Sequence, residues 1–268
     1  MGSYIQEADT LFNSMSPALR VAMIIVCSLI FVVAVISFVT DIVLSVKYVR
    51  FNRKENSAHL TGEAAARKIL DANGLQNIAV KATGSMLFGN SYSHHFKKVR
   101  LRRLTRYKES LTALAMGSEK AALAVLDKED DPDMKLRNRL FPWVTFGPLA
   151  FIPLILVGVI IDYLLLGATG TLTIVICILG LLFYASTLWL ALVTLKTEKK
   201  AQERSYALLR ENGMATEEEI SLLKELFKLY NIQYINNVVM SMLEMIYYIL
   251  RLIAVASNNG SSSSSTSD

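Results

Sequence analysis

Cysteine is scarce in this 268-residue chain. Two residues, Cys27 and Cys177, are too few for a disulfide-stapled secreted fold. Both fall inside apolar runs, where a small apolar side chain accounts for them. Charge is scarce too. Only 19% of residues are charged against 53% hydrophobic, which excludes a disordered chain and argues against an ordinary soluble enzyme. The net charge of +5 is too small on average to mark a nucleic-acid binder. There is no Gly-rich phosphate loop, no Ser-His-Asp order and no Cys-x-x-Cys pair. The first 19 residues contain no Lys or Arg, and residues 163–195 carry no charge.

What is present is long apolar runs. Val21 to Thr40 is twenty residues without a charge, enough helix to cross a bilayer core of about 30 Å. It sits too far from Met1, without a basic leading region, for a removable signal peptide. Val144 to Ile161 forms a second run and Leu172 to Leu195 a third, with a tight turn expected at Gly167 to Gly170. A fourth, Val238 to Ala256, is weakened by Glu244 and Arg251. These runs predict a mainly α, multi-pass membrane protein of about four transmembrane helices. A small α+β cytoplasmic domain lies between the first and second.

The predicted organisation is an external segment 1–20, a first span 21–46, a basic cytoplasmic domain 47–139 and a second span 140–162. A third span 171–195, a cytoplasmic helical hairpin 196–231, a fourth span 232–256 and a disordered Ser-rich tail 257–268 follow. Basic residues orient it. Segment 47–139 holds 19 Lys and Arg against 10 Asp and Glu, and Lys/Arg-rich loops stay on the cytoplasmic side. Both termini are therefore expected outside.

Within the cytoplasmic segments, Leu60 to Leu75 (LTGEAAARKILDANGL) reads as a short amphipathic helix. Thr61 is its N-cap, Glu63 lies in its first turn and Gly74 is its stop. Ile78 to Val80 and Lys98 to Leu101 are strand-sized, and a helix is expected from about Glu109 to Leu126, ended by the acidic cluster Asp127 to Asp133. Thr216 with Glu219 forms a capping box before an apolar stripe of Ile220, Leu223, Leu226, Phe227 and Tyr230, expected to pack on Ser205 to Leu209.

The helix LTGEAAARKILDANGL, the Val99-Arg100-Leu101 triplet, KLRNRLFP at Lys135 to Pro142 and the segment from Glu198 to Gly213 resemble the bacterial membrane neutral zinc metallopeptidase family over about 180 residues. The resemblance implies a zincin-like soluble domain among transmembrane helices in a bacterial cytoplasmic membrane. It also implies His-Glu-x-x-His on a helix, with the His pair binding zinc and the Glu acting as general base. A downstream Glu is the third ligand. The chain departs from that pattern. Its three histidines, His59, His94 and His95, make no such motif. Ungapped counting from Val99 and from Leu136 puts Glu119 and Leu123 at the two His positions and Lys120 at the base. A shift of three residues would give Met116, Gly117 and Lys120. The third ligand corresponds to Glu198, now flanked by Lys199 and Lys200. Leucine cannot ligate, and an ammonium opposes a divalent cation. The expectation is an inactive relative with no cofactor, serving as a structural or regulatory subunit. An active zinc enzyme with substituted ligands and a small-solute or ion transport component are the alternatives.

The run Lys97, Lys98, Arg100, Arg102, Arg103, Arg106 and Lys108 is acid-free; Arg102 and Arg103 stand where the family is often acidic. It fits attraction to anionic lipid, nucleic acid with Tyr107 stacking, or a solvated face, with nucleic acid the least favoured. His94-His95 reads as an exposed loop pair rather than a relocated metal site with Glu198, and His59 as solvated. Asp41, Glu244 and Arg251 are ionisable groups in or near spans. The expected partners are the lipid bilayer and a membrane protein or a second copy of the chain.

Overall fold

The computed structural model describes residues 15–83, 89–142, 157, 160–161 and 171–262. They divide into two compact units: the chain ends, 1–39 with 236–268, and residues 40–235. The fold is mainly helical with one small sheet. In order, the elements are α1 (Pro17–Arg53), α2 (Gly62–Ala72), β1 (Ala79–Thr83), β2 (Ser91–Ser93), β3 (Lys98–Arg102), α3 (Arg103–Tyr107) and α4 (Leu111–Lys128). They continue with α5 (132–142), α6 (Thr171–Glu211) and α7 (Glu217–Ser262).

Among the described residues, two helices are long and apolar enough to cross a membrane: α1, and α6 from Ile178. Phe31 and Phe38 on α1 are 70% and 66% exposed, a display of large apolar side chains that lipid covers at no cost and water does not. The four-span layout is not reproduced. Most of the second expected span, the turn at Gly167 to Gly170 and the loop at 84–88 lie outside the described residues. The fourth expected span is not one of the two qualifying helices; it continues α7 rather than standing alone. Helix α7 runs to Ser262, past residue 257 where the tail was expected to begin. In the unit of chain ends, Met15, Met23 and Ala254 form a small core with Leu19, Tyr247 and Leu250.

In the 40–235 unit, local sequence sets the element ends. Thr61 Oγ1 accepts the Ala64 amide, capping α2, and Gly74 takes the positive φ that follows the helix. Asp131 Oδ1 accepts from the amides of Asp133 and Met134 at the start of α5, where Pro132 fills the first helical position at no hydrogen-bonding cost. Thr216 and Glu219 form the expected reciprocal capping box, and the same Glu219 carboxylate accepts Ser57 N and Oγ at 2.7 and 2.6 Å. Those bonds tie the head of α7 to the loop after α1.

The sheet order is β1-β3-β2, with β1 parallel and β2 antiparallel to β3. Strand β2 escaped the sequence reading because three residues carry too little alternation to register. Val99 and Leu101 point into the core, and Lys98, Arg100 and Arg102 point outward. The core gathers Ile69, Leu70, Val99, Leu101, Leu114, Leu123, Leu209, Leu223 and Phe227 around α4. Tyr206 meets Phe227 with ring centroids 6.1 Å apart, joining the apolar stripe of α7 to α6.

Helices α2 and α4 touch backbone to backbone. A Cβ at Gly117 would collide with the Gly62 carbonyl, and one at Gly62 with the Thr105 carbonyl. Backbone cannot yield as a side-chain tip can. Gly117→Ala is therefore expected to destabilise the protein by about 1–3 kcal/mol, read as a lowered thermal midpoint in detergent. An unchanged midpoint would show that the crossing is looser than described.

Candidate functional site

Helix α4 is wrapped on all sides: every residue from Leu111 to Leu126 is buried. Such a helix is normally apolar all round, yet its centre carries Glu119 and Lys120, with side chains 5% and 10% exposed. Isolated buried charges are prohibitively costly, so their partners define the site.

Lys120 Nζ lies 2.7 Å from Glu198 Oε2 on α6 and 3.1 Å from Glu119 Oε2. Arg137 on α5 brings Nη2 to 3.6 Å from the other Glu198 oxygen. Gln202, one turn beyond Glu198, donates through Nε2 to Glu119 Oε1 at 3.1 Å. Gln202 and Asn231 of α7 then exchange hydrogen bonds at 3.2 and 2.8 Å. Four helices thus contribute to one buried polar network.

The electrostatics follow from that geometry. Burial alone would lower the Lys120 ammonium, but the carboxylates of Glu119 and Glu198 outweigh it and hold the group above its usual range. For Glu198, burial would raise the carboxyl; Lys120 and Arg137 outweigh it, and it stays ionised below the ordinary range. For Glu119, burial and the neighbouring Glu198 carboxylate outweigh Lys120 and the Gln202 hydrogen bond, and the group is pushed up to about 7.

These residues do not fit a zinc ion. A catalytic zinc site takes three lone-pair donors and keeps one position open. Here the space between the two carboxylates is taken by an ammonium, which donates and has no lone pair. Leu123, one turn past Glu119, is fully buried and has nothing to offer. Among the described residues no group of three or more His, Cys, Asp or Glu is placed to hold a metal.

Of the sequence-singled positions, the structure brings Glu119, Lys120 and Glu198 together, with Leu123 on the same helix. His94 and His95 are not gathered with Glu198. His94 Nδ1 instead lies 2.6 Å from Asp127, which also accepts from Tyr92 Oη and Asn138 Nδ2 at 2.7 and 2.8 Å. His59 is exposed, near Glu55 and Glu109 at 3.9 and 3.8 Å. The basic run is split by its surroundings. Arg106 makes a two-pronged pair with Glu63, Lys108 donates to the Asn52 carbonyl, and Lys98 and Arg100 sit over the exposed Phe96 ring. Lys97 occupies the positive-φ position of the β2–β3 turn, while Arg102 and Arg103 bridge β3 into α3.

Sequence reading missed Arg137, Gln202 and Asn231. Arg137 lay inside KLRNRLFP, and Gln202 lies four residues past Glu198, hence on the same helix face. That spacing was the available signal.

Residues 25–253 match the profile of a family described as "Putative neutral zinc metallopeptidase". The chain is 24% identical over 215 residues to the "Putative membrane protease YugP" of Bacillus subtilis (strain 168), covering 80% of this chain and 91% of that protein. No solved structure matches it. With most of its length inside the profile, this chain belongs to the neutral zinc metallopeptidase family.

Proposed function

We propose that this chain keeps the scaffold of a membrane zinc peptidase without its chemistry. It would serve as a structural or regulatory subunit that binds a membrane protein partner or another copy of itself. The observation that carries the reading is Lys120 Nζ, 2.7 Å from Glu198 and 3.1 Å from Glu119, standing where the family's ungapped register expects a catalytic carboxylate. A side-chain cation in that place supplies the positive charge the carboxylates need and provides no Lewis acid or general base. On this reading the chain needs no zinc. The four-span arrangement, with both termini outside, belongs to the same proposal; the two apolar helices account for two of its spans, and the basic 47–139 segment is the argument for its orientation.

A second reading, attachment of the soluble domain to anionic lipid, is favoured by one observation. Phe96, Leu104 and Tyr107 are 66%, 61% and 61% exposed among the outward cations Lys98, Arg100 and Arg103. Aromatic and aliphatic tips interleaved with cations suit a lipid interface.

Metal analysis after purification in mild detergent tests the central claim. The natural chain should hold far less than about one zinc per molecule, the content of a mononuclear peptidase site. Combining Glu119→His, Lys120→Glu and Leu123→His should bring the content to about one, and adding Glu198→Ala should abolish it. Near-stoichiometric zinc in the natural chain, lost on Glu198→Ala alone, would overturn the reading and establish an enzyme.

Acid–base behaviour gives a separate check. Glu119 titrates at about 7 when folded against 4.5 for an ordinary glutamate, so the folded state binds the extra proton between those values. Its contribution to stability is present in full below about 4.5 and is lost as pH rises through about 7. The thermal midpoint should therefore fall across that window, and Glu119→Gln, which cannot ionise, should flatten the fall. An equal slope in the variant would place Glu119 outside the titration.

Topology is checked by thiol labelling of intact cells in a background lacking Cys27 and Cys177. A cysteine at Ser3 should react from outside, and one at Ser57 only after permeabilisation. The reverse pattern would invert the proposed orientation.

A further inference from the structure

Between the cytoplasmic parts of α6 and α7 runs a groove of about 340 Å³. One wall is a single face of α6, Lys199, Gln202, Glu203 and Tyr206, at helical spacing of three and four. The other is one face of α7 from Lys224 to Ile235. Three ammonium groups and one carboxylate line it. Lys199 and Lys228 are exposed and have no carboxylate partner among the described residues. Lys224 lies over the Tyr206 ring at 5.6 Å.

The charge is graded along the groove. Lys199 follows four residues after Leu195, the last residue of the uncharged stretch of α6. On the opposite wall Ile232 and Ile235, both partly exposed, mark the start of the apolar stretch of α7. The two helices run antiparallel here, since Gln202 pairs with Asn231 and Tyr206 with Phe227. The apolar end of the groove therefore belongs at the lipid boundary, with Lys199 level with Ile235 there and Lys228 roughly 9 Å further to the aqueous side, so the two ammonium groups bracket headgroup depth. Basic pockets between helices at this level suit lipid phosphates. The volume falls at the small end of ligand sites, which run from roughly 300 to 1,000 Å³: room for a headgroup, with the acyl chains left outside.

We propose that this groove binds the phosphate headgroup of an anionic phospholipid, with Lys199 and Lys228 on the phosphate and Ile232 and Ile235 against the first methylenes of its chains. The site differs from the basic run on β3 and α3. It also does not depend on whether zinc binds, although Gln202 forms its floor and reaches Glu119 on the other side.

The test uses the full chain in mild detergent, with short-chain phosphatidylglycerol, phosphatidylcholine of equal chain length and inorganic phosphate as probes. Phosphatidylglycerol should raise the thermal midpoint saturably, and the other two should not. Lys199→Gln with Lys228→Gln, at exposed positions, should weaken that response about thirtyfold, roughly fivefold per lysine. Lys54→Gln with Lys135→Gln, two exposed lysines outside the groove, should leave it unchanged. An equal response to phosphatidylcholine, or one undiminished in the Lys199/Lys228 variant, would overturn the proposal. A response to inorganic phosphate as strong as to the lipid would show an anion site with no lipid specificity. A lipid-independent dimer in which Lys199 is shielded from acetylation would assign the groove to a second copy, again against the proposal.

Discussion

An ammonium group at the centre of a fully enclosed helix is the constraint on which this architecture depends. Transferring one charge from water into such surroundings costs several kcal/mol even after relaxation, and α4 holds two adjacent charges there. That cost is met only if Glu198 and Gln202 arrive from α6 at hydrogen-bonding distance and Arg137 arrives from α5 within ion-pair reach of Glu198. Sliding α6 by one turn displaces Glu198 by about 5.4 Å and strands both the ammonium and Glu119. Apolar packing would tolerate several offsets between α4 and α6; the network tolerates one. Removing a single member of such a set costs more than the set contributes as a whole, so its members act as a unit.

A second set of charges touches the same helices under different physics. Lys196, Lys200 and Arg204, four residues apart on α6, meet Asp133 in the first turn of α5 and Asp131 and Glu129 in the segment before it. Lys200 also pairs with Asp133. Hydrogen bonds from Lys200 and Lys196 hold Asp133 below the ordinary carboxylate range, and Lys200 is raised in return. The cations are partly to well exposed although Asp131 and Asp133 are mostly covered, and ion pairs at such a surface are worth about 0–1 kcal/mol each. Asp131 is the exception in kind, since it also caps α5 through two backbone amides. The acidic cluster thus ends α4, starts α5 and lies along α6, while the buried network sets the register.

Legibility in the sequence followed locality. Thr61, Gly74 and the Thr216/Glu219 box were readable because a cap is decided within four residues. The apolar stretches of α1 and α6 were readable because lipid asks only for length and hydropathy. The Lys120–Glu198 pair, 78 residues apart, could be anticipated only by placing two motifs in a family register. Nothing in either segment says that one will close on the other. The double duty of Glu219, capping its own helix and binding Ser57, was invisible for the same reason. So was Asp127, read as a helix terminator yet placed to gather Tyr92, His94 and Asn138.

On the proposed reading, the substitutions at the family's site form a consistent electrostatic exchange. A zinc ligand such as Glu198 is a buried anion whose charge the dication offsets. Losing the metal alone would leave that anion uncompensated at a cost of several kcal/mol and would endanger the fold. Lysine in place of a carboxylate base changes the local charge from negative to positive in one step and puts the new cation within reach of the old ligand. Arg137 approaches the second oxygen, and Gln202 satisfies the carboxylate that Lys120 must share. The core is thereby freed of any requirement for metal while its helices stay in register. That is what a chain would need if its remaining task lies on its outer surfaces and in the groove between α6 and α7.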